Sequence, residues 1–443
     1  MFETFRNAFK NQDLRKKILY TIFIIVIFRL GAMIPVPFLD ASAMQSWFSS
    51  AESSGNFLSY LNVITGGAFS NATLFAMSIT PYINASIIIQ LLTVAIPPLE
   101  RLSKEGEEGR KTLNKITRWT TLGLALVQAI GYYFILRNGS ITGASSALKS
   151  EYRDGFAGFF VAAVIVLMFT AGAALIVWLG EQINIKGIGN GISIILFAGI
   201  ISRGPAAIGA LWGLIQLGPS KPQYYVLVPL IVVLFVLIIG FVVLMTNAER
   251  RIPVQYAKRV VGRKMYGGQT NHIPIKVAMS GVMPIIFASS IMSIPGTIGS
   301  FVDVKEGGFW DGFFRLFQYN SWFYAILYFL LIIGFNYFYV AIQYNPIEIS
   351  NNLRKNNGAI PGIRPGKPTS DFITRVISKI TFVGAIFLGL IAVFPIAFSY
   401  AVPDAGQLAL GGTTLLILVG VALETMRTLE SQLMMRHHKG FLE

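Results

Sequence analysis

The sequence predicts an all-α polytopic membrane protein with ten transmembrane helices. Three observations carry this. Ten apolar runs of about membrane length punctuate the chain. Charged residues make up 13% of it and hydrophobic ones 54%, where a soluble domain carries roughly a quarter charged residues. The lysines and arginines gather in alternate loops, as the positive-inside rule requires.

The runs lie near 18–36, 73–96, 119–136, 156–180, 188–203, 224–246, 275–299, 321–344, 377–400 and 412–433. A span needs about 20 apolar residues, and the fifth run is the shortest and is rich in glycine. Helix is the state expected for each, because open strand edges leave unpaired backbone groups in lipid. The first run follows Arg15, Lys16 and Lys17 and lacks a small-residue cleavage site, so it reads as a permanent helix. An even count places both termini on one side. With the N-terminus in the cytosol, the inside segments hold 26 of the 36 lysines and arginines and the outside loops seven. The net charge of +15 is thus topological and does not call for a nucleic-acid partner.

The spans contain little chemistry. There is no cysteine, which excludes disulfides and thiolate metal sites. Three histidines, His272, His437 and His438, give no metal-ligand pattern, and no cofactor is expected. Ion-coupled carriers and pumps place carboxylates near the bilayer midplane. Here Glu181 falls at a helix end, and Glu424 lies near the cytosolic end of the last span, three residues before Arg427. Arg29 lies toward the outer end of the first span, within snorkelling reach of the surface. Gly362-Ile363-Arg364-Pro365-Gly366-Lys367 misses phosphate-loop spacing by one residue and has Pro368 where Ser or Thr should hold magnesium. Gly187-Ile188-Gly189-Asn190-Gly191 opens a membrane helix with no strand before it. A channel without catalytic function fits best, with any driving energy supplied by a partner. A secondary transporter of a small solute is the alternative from another class.

Two features are irregular. Residues 57–75 are moderately apolar, too short to span and broken by Gly66 and Gly67. They read either as a half-helix re-entering from outside or as an outer surface loop. Second, Pro81-Tyr82-Ile83-Asn84-Ala85-Ser86-Ile87-Ile88 echoes Pro284-Ile285-Ile286-Phe287-Ala288-Ser289-Ser290-Ile291. Five of the eight positions agree. The two segments lie in the second and seventh spans, the equivalent members of two inverted five-helix halves, 1–203 and 204–443. Both helices carry small polar groups: Asn84, Ser86 and Gln90 in one, Ser289, Ser290 and Ser293 in the other. These suit either ordinary helix packing or a contact of modest strength that can separate.

The sequence resembles the SecY/Sec61-alpha family, channel subunits of the Sec protein translocase. The likeness runs through Gly66-Gly67-Ala68, the segment from Pro81 to Leu92, Lys104-Glu105-Gly106-Glu107-Glu108-Gly109-Arg110, Gly187 to Ile194, Tyr256-Ala257-Lys258-Arg259, Pro361 to Gly366, and Gly411 to Ile417. The resemblance implies a clamshell of the two halves around an hourglass pore. Its waist would be a ring of Ile79, Ile83, Ile192, Leu196, Ile286 and Ile417. The i,i+4 spacing of the first two pairs puts each pair on one helix face. The resemblance also implies a plug that closes the outer side, including Tyr60, Leu61, Ile64, Gly66, Gly67 and Phe69. It implies a lateral gate between the second and seventh helices, lined by the small polar groups named above, through which signal sequences and membrane segments reach lipid. The long cytosolic loops 247–273 and 345–376 would dock the SecA motor and the ribosome through Lys258, Arg259, Arg263, Lys264 and Arg364. The small membrane subunits SecE and SecG would be partners, unfolded polypeptides the cargo, and the bacterial plasma membrane the location.

Overall fold

The computed structural model describes residues 6, 8–40, 65–138, 148, 155–216, 218–219, 221–256, 259–261, 264–266, 270–299, 308–317, 321–401 and 412–437. The chain is mostly helical. Its helices are α1 (Gln12–Gly31), α2 (Thr80–Ala95), α3 (Pro97–Lys104), α4 (Glu107–Asn138), α5 (Gly155–Lys186), α6 (Gly191–Ile201), α7 (Gly204–Gln216), α8 (Tyr224–Asn247), α9 (Met283–Gly299), α10 (Phe309–Leu316), α11 (Trp322–Gln343), α12 (Pro346–Lys355), α13 (Lys367–Ala401) and α14 (Gly412–His437). Every apolar run of the sequence overlaps a helix. Among the described residues, five segments are able by length and composition to cross a membrane, or six if a bent pair counts as one.

That bent pair is α2 and α3, which meet at 102°. Pro97 and Pro98 follow the extended Ile96, and a proline ring disfavours helix in the residue before it. The second helix also starts later than the apolar run suggests, at Thr80 instead of 73. Residues 65–79 are a series of turns, with Ala72 and Ser78 at positive φ beside Gly66 and Gly67, which no helix accommodates. These turns are pinned to the end of α1 by Val36 N–H donating to Ala72 O (3.0 Å) and Leu74 N–H donating to Ile34 O (2.9 Å). The fifth run extends past 203: α6 and α7 together make a span-length segment, Gly191–Gln216, interrupted at Ser202–Arg203.

Helix packing is sequential. α1 lies on α5, α2 on α4, α4 on α5 and α5 on α6, while α9 lies on α11 and α11 on α13. Contacts between helices distant in sequence include α6 with α14, α8 with α14 and α2 with α9. The α5–α6 approach is close: a Cβ at Gly191 would overlap the Gly180 carbonyl. α8 is the least enclosed span, 11% buried, against 50% for α13.

The two long loops contain a small sheet that the run of helices does not foretell. Strand β1 (Glu249–Tyr256) pairs antiparallel with β4 (Thr270–Lys276), and β5 (Gly358–Ala359) adds to the other edge of β1. Ile252 faces Ile273 in the ladder and Gln255 faces Ala359. Between β1 and β4, β2 (Arg259–Val261) and β3 (Lys264–Tyr266) form a separate hairpin. Beneath the sheet, Ile252, Val254, Ile275, Leu353, Ile360, Ile373 and Ile377 make one apolar core, so the loops 247–273 and 345–376 fold as one platform.

Candidate functional site

The central core cluster draws on distant helices. Ile79, Leu196 and Ile417 are buried in it, and Ile83, Ile192 and Ile286 pack against it, half-buried. These six come from the start of α2 and from α6, α9 and α14. Ile79 precedes α2 and is fully enclosed. Its carbonyl accepts from Ile83 N–H at 3.0 Å, so the pair shares one helix face. On α6, Asn190 caps the helix by accepting from Ile192 N–H (3.1 Å) and Ser193 N–H (3.4 Å). Asn184 Oδ1 accepts from Gly191 N–H at 2.7 Å, and Thr21 Oγ1 accepts from Ile188 N–H at 3.2 Å. The glycine-rich segment 187–191 is therefore a cap and a close helix crossing that fixes where Ile192 and Leu196 stand.

The turns 65–79 rest on the same cluster through Ala68 and Phe75. Phe75 stacks on Phe28 with centroids 5.8 Å apart. Phe69 instead joins the neighbouring core, stacking on Tyr132 at 4.4 Å, whose hydroxyl donates to Phe69 O at 3.0 Å. Gly66, at φ +66°, is wedged tightly: a Cβ there would meet Gly199 O and Ser202 Oγ at 2.7 Å and Arg29 Nη1 at 2.9 Å. Gly67 O accepts from Ser70 Oγ (3.0 Å) and Asn71 Nδ2 (3.1 Å). Tyr60, Leu61 and Ile64 lie outside the described residues.

On the two echoing helices, Asn84, Ser86, Gln90, Ser290 and Ser293 are half-buried and Ser289 is buried. Ser289 Oγ donates to Ile286 O (2.9 Å) and Ser293 Oγ to Ser290 O (2.6 Å). Both of these bonds stay within α9. Arg364 is exposed on a turn flanked by Gly362 (φ +79°) and Gly366 (φ +104°). The turn is tied down by Thr369 Oγ1 donating to Arg364 O (2.8 Å) and Ser350 Oγ to Gly366 O (2.9 Å). Arg259 and Lys264 lie on β2 and β3; Lys258 and Arg263 lie outside the described residues.

One polar group escapes a reading of the sequence. Asn336 of α11 is buried and accepts from Ser280 Oγ. Its Nδ2 donates to Thr381 O of α13 at 2.9 Å. Ser280 precedes α9, so this bond ties the base of that helix to two neighbours. A lone asparagine within the run 321–344 is the available signal.

Long apolar helices, re-entrant turns and an apolar knot gathered from both ends of the sequence define a helical multi-span membrane protein of channel type. The SecY family matches residues 73–426. Protein translocase subunit SecY of Streptomyces coelicolor is 41% identical over 444 residues, spanning 100% of both chains. That of Corynebacterium glutamicum is 41% identical over 98% of this chain and 99% of its own. A solved protein-conducting channel shares the fold at TM-score 0.62 and 18% identity, over 94% of this chain and 92% of that one. Sec61 in a canine ribosome–channel complex does so at TM-score 0.58 and 17% identity, over 94% and 92%. The chain belongs to the SecY family. This sets aside the small-solute transporter: the chain is a protein-conducting channel subunit and a multi-pass membrane protein.

Proposed function

We propose that the six aliphatic residues Ile79, Ile83, Ile192, Leu196, Ile286 and Ile417 form the waist of the conducting path. In this reading, unfolded secretory polypeptides pass through the waist, and membrane segments leave it sideways between α2 and α9, past Asn84, Ser86, Gln90, Ser289, Ser290 and Ser293. The single observation that supports it is the convergence of all six on one apolar cluster, although together they span more than 300 residues of sequence. An apolar neck excludes water and ions by dewetting. It offers no hydrogen bond that would hold one sequence in preference to another, so many side chains can pass in turn. The turns around Gly66, Gly67 and Phe69, with the segment bearing Tyr60, Leu61 and Ile64, stopper the outer side.

The two inverted halves, 1–203 and 204–443, are the shells that part. The platform carrying Lys258, Arg259, Arg263, Lys264 and Arg364 receives the SecA motor or the ribosome, and exposed cations suit ribosomal phosphate. SecE and SecG complete the complex in the bacterial plasma membrane, with both termini cytosolic. The energy comes from the motor or from chain elongation, and the chain itself performs no catalysis.

The absence of cysteine gives a direct test. A secretory chain arrested in transit and carrying one cysteine is expected to form disulfides with Ile286→Cys and Ile417→Cys channels. It should form none with Leu230→Cys, on the exposed face of α8. Equal bridging at all three positions, or at none, would reject the waist.

A further inference from the structure

Helix α10 has an apolar arc that the described residues cover only in part, near Phe314 and Phe317. At 100° per residue, Leu316, Phe309, Phe313, Phe317, Trp310 and Phe314 fill one side, and Asp311, Gly312 and Arg315 the other. Phe309 is 82% exposed, Trp310 60% and Leu316 46%, and Phe313 is also exposed. The rings contact one another along the helix, Trp310 with Phe314 at 6.2 Å and Phe313 with Phe317 at 5.1 Å. Phe317 packs on Phe323 of α11 at 5.6 Å. Eight residues are too few to hold a helix in water unaided, and the aromatic arc of this one faces outward.

Its position says what meets that arc. The sheet strand β4 ends at Lys276, α9 runs away from it to Gly299, and α11 runs back from Trp322 to the platform. α10 touches both helices at the ends remote from the sheet. Apolar residues are exposed there as well, Ile294 and Ile298 on α9 and Trp322, Phe323 and Ile326 on α11, and Phe323 meets the α10 arc at Phe317. A membrane-spanning helix presents such faces to lipid. Amphipathic, aromatic-rich helices with a charged opposite face lie in the headgroup layer, where tryptophan concentrates.

We propose that α10 is a lipid-interface anchor, seated with Phe309, Trp310, Phe313 and Leu316 at the headgroup–acyl boundary of the leaflet remote from the sheet. It holds the outer end of α9 to that plane. The inference needs only that the chain spans a membrane and stands whether or not the six-residue waist is correct.

The test uses the full chain in phosphatidylcholine–phosphatidylglycerol vesicles. Nitroxides are placed one at a time by Phe309→Cys, Phe313→Cys and Leu316→Cys, with Gly312→Cys and Arg315→Cys on the polar face. Relative to the polar face, the apolar-face labels are expected to favour collision with oxygen over a water-soluble nickel chelate by at least about threefold. Equal nickel access on both faces overturns the proposal, and so does shielding of the apolar face from both reagents, which would mean a protein cover. A second measurement needs no cysteine. The fluorescence lost on Trp310→Phe should be quenched more by lipids brominated high on the acyl chain than by those brominated near its end. Equal quenching, or none, overturns the proposal as well.

Discussion

The apolar cluster proposed as the waist and the sheet platform are both small cores, built in opposite ways. At the proposed waist, residues from four separate stretches of chain meet through side chains, and two of the four helices that bring them, α2 and α9, touch only lightly. In the platform, segments about 100 residues apart are joined by backbone hydrogen bonds between β1, β4 and β5, with Ile252 and Val254 filling the space beneath. Dispersion and burial are non-directional, so the first arrangement can open and close again around a different object. A strand ladder fixes register and cannot slip without moving every side chain to the wrong face. In the proposed reading, the difference separates a part that yields from a part that holds a partner in place.

The sharpest way to separate the two is to break the platform alone. Val254→Asp puts an unpaired carboxylate on the central strand, at a site 1% exposed, and should destabilise the platform by about 3 kcal/mol or more. Faster proteolysis between 257 and 269 and loss of partner-driven transport are expected, with resting ion conductance unchanged. A rise in conductance would show that the two regions are not independent. Polar substitution of the waist should do the reverse. Ile286→Asn with Ile417→Asn lowers the cost of hydrating the neck by about 1–3 kcal/mol, so resting leak in planar bilayers should rise on the order of tenfold or more while the platform resists protease as before. Unchanged conductance would reject the seal. Between the regions stands Asn336. Asn336→Leu removes the tie to Ser280 and Thr381 and should lower thermal stability in detergent by about 0.6–1.7 kcal/mol, with a smaller leak than the waist variants. The smallest effect is expected from Arg364→Glu. An exposed charge at an interface acts mainly on association rate, so partner binding should slow several-fold and membrane insertion of the chain stay intact. Equal partner binding by both proteins would remove Arg364 from the docking surface.

Much of the membrane region is legible in the sequence because hydrophobicity outweighs every other influence there: each apolar run overlaps a helix, the second from Thr80 and the seventh from Met283. The ends are less so. The start of α2 depends on backbone at positive φ at Ala72 and Ser78, which apolar side chains do not advertise. The extension of the fifth run into α7 lies beyond a break at Ser202–Arg203 that composition reads as an end. The sheet goes unseen among so many helices although its signal is present. Ile252 and Val254 alternate with exposed neighbours, and Ile273 and Ile275 repeat the period two, the mark of a half-buried strand. β5, only Gly358–Ala359, carries no such signal, since two residues gain their conformation from β1. Of the candidate waist, the spacing Ile79–Ile83 and Ile192–Leu196 is visible locally. Their meeting with Ile286 and Ile417 depends on how α6 crosses α14, which no local pattern encodes.

Helix α2 is too short to reach across the membrane by itself. Sixteen residues rise about 24 Å, less than the roughly 30 Å of a bilayer's hydrocarbon. The prolines at the α3 bend forbid borrowing length at that end, so the shortfall lies at Ile79. From there outward the wall is made of bends whose carbonyls and amides face several directions, where a full-length rod would have offered only grease. If the proposed waist is correct, a thread leaving it outward meets these backbone polar groups while it is still at membrane depth.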